Sequence, residues 1–257
     1  MNKKTQRFKE LLSTIFKSHP WHGVPAGPQA PAVVTCYIEI VPPGSVKLEL
    51  DKTTGHLRID RPQRFSSVSP TLYGFIPQTY CGDGIGKLAN QHAKRKITKG
   101  DGDPLDICVL TEKEIVQGDL LLSARVIGGL LMVDKGEADD KIIAVLDADI
   151  TFGHIKDLSE VPPGVIERLK HYFLSYKRPP GQSDSDKSVV YIDEVYGPNR
   201  AHEVIRQSMQ DYETAFGSEE SRLEELRQLL SEGLHENCSS QKPKDGKRKK
   251  DGKKSRK

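Results

Sequence analysis

Cysteine is scarce in this chain and long apolar runs are missing, and both shortages narrow what it can be. Four Cys in 257 residues, Cys36, Cys81, Cys108 and Cys238, stand far apart with no Cys-x-x-Cys pair. That argues against a zinc site or a disulfide framework and leaves reduced thiols. No stretch approaches the roughly 20 apolar residues that cross a bilayer, so a membrane span is excluded. Lys3, Lys4 and Arg7 open the chain, but Phe8-Lys9-Glu10-Leu11-Leu12 is broken by charge where a signal peptide needs an apolar core. A cytoplasmic protein is expected. Internal repeats are also missing.

A hydrophobic fraction of 35% and a charged fraction of 29% suit one well-buried domain with additions. The net charge of +3 hides a division: residues 241–257 hold ten Lys and Arg against two Asp, a balance of +8, which leaves 29 basic against 34 acidic residues, −5, for the rest. So basic and so poor in apolar residues, that tail is expected to be disordered.

Residues 1–18 space Phe8, Leu11, Leu12, Ile15 and Phe16 three or four apart, as in an amphipathic helical arm. A Pro-, Gly- and Ala-rich connector follows to residue 32. From residue 33 the pattern changes to short β runs at 33–41, 46–51 and 56–60, with Asp51 to Gly55 as a hairpin turn, then at 105–110, 120–128, 129–133 and 141–147. Many short strands without regular strand and helix alternation favour a closed or strongly curved β core over a parallel α/β sheet. Helical spacing covers 165–177 and 201–216, with a strand at 189–195 between them. A charged helix over 218–234 carries Leu223, Leu226, Leu229 and Leu230 as one apolar stripe.

The densest chemistry is Asp101-Gly102-Asp103-Pro104-Leu105-Asp106, three carboxylates within six residues where a loop enters a strand. Like charges this close repel in a low dielectric and persist only if exposed or bound to cations. A calcium-binding EF-hand loop needs an oxygen ligand at its fifth position and Gly at its sixth. Leu105 and Asp106 stand there, and Glu112 at the twelfth does not rescue the match. A phosphomonoesterase of the inositol monophosphatase type would follow Asp-Pro-Leu-Asp with Gly-Thr, where Ile107-Cys108 stands.

A second acidic group, Asp134, Glu137, Asp139 and Asp140, lies between two predicted strands, and the two loops can converge on one site. Carboxylates without clustered His or Cys favour magnesium or manganese over zinc. Such ions ask for a phosphate-type substrate and for bases to grip it, with Lys47, Arg61, Lys141 and Lys177 as candidates. Alternation in Val46-Lys47-Leu48-Glu49-Leu50 puts Lys47 and Glu49 on one face, which fits a polar barrel mouth and a solvent-facing strand equally well.

Taken together, the pattern resembles the family I soluble inorganic pyrophosphatases over residues 33–217. The aspartate run carries the resemblance, with Tyr37-Ile38-Glu39-Ile40, Lys47-Leu48-Glu49, Ile59-Asp60-Arg61, Tyr73-Gly74-Phe75-Ile76, Asp134, Asp139, Lys141 and His171 to Lys177 around it in the family's order. The resemblance implies an α+β fold with a five-stranded OB-like barrel core and flanking helices. It also implies hydrolysis of pyrophosphate to two orthophosphates by several magnesium ions, manganese being an alternative, and metal-activated water. Asp101, Asp106 and Asp139 would hold activating metals, joined by Asp134 and Asp103, and Glu39 would reach the cluster through water. Asp103 would take the proton from the water and counts as catalytic with Tyr73, Arg61 and Lys47. Lys47, Arg61, Tyr73, Lys141, Tyr176 and Lys177 would grip the phosphates, with Glu49 as their charge partner. A homo-oligomer is expected.

Two features depart from the family. Ser69 stands where a Tyr is usual, which puts one phosphate-side hydroxyl in doubt, and residues 78–100, with Lys94-Arg95-Lys96, form an insertion. A lid or an interface is weighed for it against a surface excursion with solvated charge, and the excursion is preferred. The basic tail offers a rival function, nucleic-acid or acidic-partner binding by counterion release. No aromatic interleaving accompanies it, so a solubilising appendage is preferred and nucleic acid is not expected as a partner.

Overall fold

The computed structural model describes residues 16–42, 44–63, 67–176 and 190–239, the side chains of 232–239 excepted. The predicted arm up to residue 15, Lys177 and the basic tail lie outside the described residues.

The strands are β1 (Val33–Ile40), β2 (Val46–Leu50), β3 (Leu57–Pro62), β4 (Leu72–Phe75), β5 (Asp106–Leu110), β6 (Leu120–Asp134), β7 (Glu137–Ala138), β8 (Lys141–Leu146) and β9 (Val190–Tyr196). The helices are α1 (Asp83–Asn90), α2 (Pro163–Ser175), α3 (Pro198–Phe216) and α4 (Glu219–Ser239). Among them no helix is long and apolar enough to cross a membrane.

Pairing runs β1–β4–β5–β8–β6 and returns from β6 to β1, so five strands close on themselves into the OB-like barrel. Closure removes the open edges that a sheet of this size would otherwise expose. All of these pairs are antiparallel except β5 and β8, which run parallel with Asp106 opposite Lys141. Beyond the barrel, the far end of β6 pairs with β7 and β9. Strands β2 and β3 form the expected hairpin, a separate ribbon. Its turn is closed by Asp51, which accepts from the N–H of Thr53 and Thr54, and by Gly55 at φ +72°.

Two predicted strands, 120–128 and 129–133, are one strand of 15 residues. Gly128-Gly129 reads as a break but marks a close approach: a Cβ on Gly128 would lie 2.4 Å from the Tyr196 carbonyl oxygen, and one on Gly129 2.5 Å from the Tyr196 ring. The four-residue β4 was not expected, because a strand so short, with Gly74 inside it, has no readable alternation. Helix α3 begins three residues before the expected 201, with Pro198 in its first turn, where a missing N–H costs nothing.

The 78–100 segment is packed structure and not a solvated excursion. It contains α1, and Ile85, Ala89 and Ile97 are buried in the core cluster that includes Val204 and Ile205 of α3. Its basic run is tied down as well, since Asp193 of β9 accepts from the Lys94 N–H at 2.9 Å and pairs with Arg95, whose guanidinium lies 3.7 Å from the Tyr191 ring centre. A second apolar cluster joins Ile143 and Ile127 of the barrel to Leu169 and Phe173 of α2.

A third cluster anchors the connector. Trp21 is buried among Tyr37, Leu50, Phe75 and Tyr212, donates its indole N–H to the Thr79 carbonyl at 2.8 Å and meets Phe216 edge-on at 5.3 Å. Trp21→Ala should lower unfolding free energy by about 3–5 kcal/mol, because the hole cannot close between four elements. Urea denaturation measures this, and a loss below about 1 kcal/mol would show that the connector merely rests on the surface.

Candidate active site

The parallel register of β5 and β8 decides where the acidic residues meet. Both strands start at the same barrel mouth, with Asp106 and Lys141 side by side as register partners. The loops that lead into them are therefore neighbours: Gly100 bridges Ala138, and the Asp101 N–H donates to the Ala138 carbonyl at 3.2 Å.

At this mouth lies a cavity of about 530 Å³. Asp101, Asp103 and Asp106 reach it from the first acidic loop, and Asp134, Glu137 and Asp139 from the second. Lys47 and Arg61 enter from the hairpin, Tyr73 from β4, Lys141 from β8 and Tyr176 from just beyond α2. Ten expected site residues thus share one wall; Glu39 stands apart and Lys177 lies outside the described residues. Lys47 lines the cavity and, with Glu49, a smaller recess beside it, so that face of the hairpin strand is turned to the barrel mouth; Lys47 lies 3.4 Å from Glu49 and 3.2 Å from Asp60. Asp60 also holds Arg61 at 2.5 Å, so one carboxylate aims both bases.

Lys141 is 2% exposed and pairs with both Asp106 and Asp139. Burial opposes its charge, but Asp106, Asp139 and Asp101 outweigh that cost and hold the ammonium well above its usual range. The Tyr73 hydroxyl donates to Asp106 at 2.5 Å. Burial and then the charge of Asp139 push the Asp101 carboxyl well above the usual carboxylate range. Crowding of this kind is relieved by cations.

Glu39 occupies an adjoining recess of about 80 Å³, walled by Lys47, Tyr73, Asp103 and Asp106. It accepts from the Leu50 N–H at 2.7 Å, and burial, with Asp106 and Glu49, pushes its carboxyl up to about 8. Sequence reasoning missed Lys52, which pairs with Asp103 from the hairpin turn, and Lys135, in the turn between β6 and β7 at φ +52°. Both sit in turns, where a lysine ordinarily signals only solvent. Ser69 is buried and donates to the Thr71 carbonyl at 2.9 Å, and it does not line the cavity.

Asp140 separates from its neighbours and enters the interior, where Tyr196 donates to it at 2.7 Å. Burial pushes its carboxyl up to about 7 against the opposing pull of Tyr196 and Arg200. A carboxyl raised above its unfolded value of about 4 binds its proton more tightly in the folded state. Its contribution to stability is complete below about pH 4 and is lost as pH rises towards about 7, by up to about 1.4 kcal/mol per pH unit. Asp140→Asn should flatten the stability curve across that window, as urea denaturation at several pH values would show. A curve parallel to the wild type would acquit Asp140.

Among the described residues, no three His, Cys, Asp or Glu side chains form a ready-made cation cage. The donor set nevertheless fits magnesium, which takes oxygen ligands and keeps part of its water shell, so carboxylates can share it without touching one another.

Fold and site together define a phosphate-processing hydrolase built on an OB-like barrel. A profile of the family described as inorganic pyrophosphatase matches residues 36–213. An inorganic pyrophosphatase of Chlamydia trachomatis serovar D is 52% identical over 196 residues, 76% of this chain and 94% of that one. A soluble inorganic pyrophosphatase of Oryza sativa subsp. japonica is 38% identical over 195 residues, 76% of this chain and 79% of that one. The crystal structure of inorganic pyrophosphatase from Thermus thermophilus superposes with a TM-score of 0.61 at 30% identity, covering 77% of this chain and 99% of the other. The chain belongs to the family I soluble inorganic pyrophosphatases, hydrolases that split pyrophosphate into two orthophosphates.

Proposed function

We propose that the barrel-mouth cavity is where pyrophosphate is hydrolysed, with Asp101, Asp106 and Asp139 holding magnesium, Asp134 and Asp103 joining them, and Glu39 acting through water from its recess. The observation that carries this reading is the meeting of five aspartates with Lys47, Arg61, Lys141, Tyr73 and Tyr176 in a single cavity. Bound magnesium supplies Lewis acidity that makes water a nucleophile near neutral pH and neutralises phosphate charge.

The protein's own groups do the rest. Asp103 accepts a proton from the attacking water. Lys47 and Arg61, aimed by Asp60, and Tyr73, Lys141, Tyr176 and Lys177 donate to phosphate oxygens and stabilise the charge that develops as the bridging P–O bond breaks. No side chain becomes covalently attached, so catalysis is positioning and electrostatics.

Phosphate release with magnesium, and then with manganese, tests the assignment. Pyrophosphate should be cleaved far faster than inositol phosphates or nucleotide monophosphates, and equal rates would overturn it. Removing residues 241–257 should leave turnover unchanged, since the tail lies outside the 36–213 match; a large loss would move function towards the tail.

Two wider expectations belong to the same proposal. Buried free thiols at Cys36, Cys81 and Cys108 support a reducing, cytoplasmic location. The exposed Leu229 and Leu230 of α4 support a homo-oligomer, which sedimentation would measure.

A further inference from the structure

Asp211 of α3 is 9% exposed and takes no part in the chemistry above. One of its carboxylate oxygens accepts from the N–H groups of Gly82 at 3.1 Å and Ile85 at 2.9 Å, while the other accepts from Gln207 at 2.9 Å. Gly82, which opens α1, has no side chain with which to cap it, so Asp211 meets the unsatisfied donors of that helix end from another helix. One turn earlier on α3, the Ser208 carbonyl accepts from the Tyr80 N–H at 2.9 Å.

The same short segment, residues 79–82, is bonded along its opposite edge to the aspartate loop. The Cys81 N–H donates to the Asp103 carbonyl at 2.8 Å, Gly102 donates back to Cys81 at 3.0 Å and Gly100 donates to Gly82 at 3.1 Å. Leu105 adds a bond to the Thr79 hydroxyl at 2.9 Å. The loop is thus referenced to α3 through a single layer of backbone. Contact at this joint is tight, since a Cβ on Gly84 would lie 2.1 Å from Asp211 Oδ1.

We propose that Asp211 is a positioning residue for the aspartate loop: by capping α1 and holding residues 79–82 in place, it sets where Asp101 and Asp103 present their carboxylates. This rests on the site assignment above, and the physical reason is that catalytic groups displaced by a fraction of an ångström lose much of their effect.

Two readouts test it on the full chain. In metal-free, substrate-free protein, Asp211→Ala should speed amide hydrogen exchange across residues 100–105 by about tenfold, as local opening becomes easier. The magnesium concentration for half-maximal turnover should rise about fivefold, with kcat falling less, because the ligands are misplaced and not removed. Asp211→Asn keeps an accepting oxygen and should stay within about twofold of wild type in both readouts.

Gly84→Ala, which pushes α1 off Asp211 and leaves the carboxylate intact, should shift both readouts in the direction of Asp211→Ala and serves if that variant does not fold. The proposal falls if faster exchange in Asp211→Ala is confined to residues 83–90 with magnesium dependence unchanged, or if Asp211→Asn is as impaired as Asp211→Ala. Asp101→Asn separates the two levels. If it fails to shift magnesium dependence, the site assignment is wrong; if it shifts while Asp211→Ala and Gly84→Ala do not, only the positioning role is.

Discussion

Asp106→Asn should reduce pyrophosphate turnover by about a thousandfold, the scale seen when one preorganised electrostatic group is lost from an active site. Asp106 begins β5, lies in register with Lys141, accepts from Tyr73 at 2.5 Å and faces the cavity. Asparagine is nearly isosteric and can still accept from Tyr73, so the barrel should fold as before. What it removes is one negative charge, which lies at the centre of a set assigned to hold cations and pairs with the Lys141 ammonium. Asp103→Asn should do comparable harm by a different route, because the amide cannot accept the proton of the attacking water. Phosphate release at saturating magnesium, with circular dichroism as the fold control, measures both. Near-normal turnover in either would place the chemistry elsewhere.

Lys141→Met should cost the metal-free protein about 3–5 kcal/mol of stability, because removing one partner from a buried pair leaves the opposite charge uncompensated. Here the ammonium is buried between Asp106 and Asp139 and methionine retains most of the apolar stem, so the loss reports charge more than volume. Magnesium should restore much of the stability, since a cation bound by the same carboxylates takes over the neutralising role. Urea denaturation with and without magnesium checks both halves. Equal stability of variant and wild type without metal would mean that the carboxylates are relieved by water alone.

The contrast between these residues shows what a linear reading can and cannot reach. Asp101, Asp103 and Asp106 were legible because their density is costly without a purpose, and Asp51 and Gly55 because turn chemistry is local. Glu39 was legible only through the family resemblance, and its recess beside the main cavity was not. Lys52 and Lys135 were missed because a lysine in a turn has the same local signature whether it faces solvent or a carboxylate. The 78–100 segment was misread for a related reason. Its Ile85, Ala89 and Ile97 look like scattered apolar residues until α3 supplies the surface that buries them.

The sequence by itself determined the class of chemistry, through its hard carboxylates and bases without metal-binding His or Cys clusters, and it determined the hairpin and most of the strands, through patterns no longer than a turn or a few alternations. Only the tertiary structure decided that β5 and β8 run parallel, which brings the two acidic loops together, that Asp140 and Ser69 turn inward, and that α3 reaches the aspartate loop through Asp211. Local turns and alternation depend on a few neighbouring residues. Strand order and register depend on which apolar faces can be buried together across the whole chain, and that is decided only when the barrel closes.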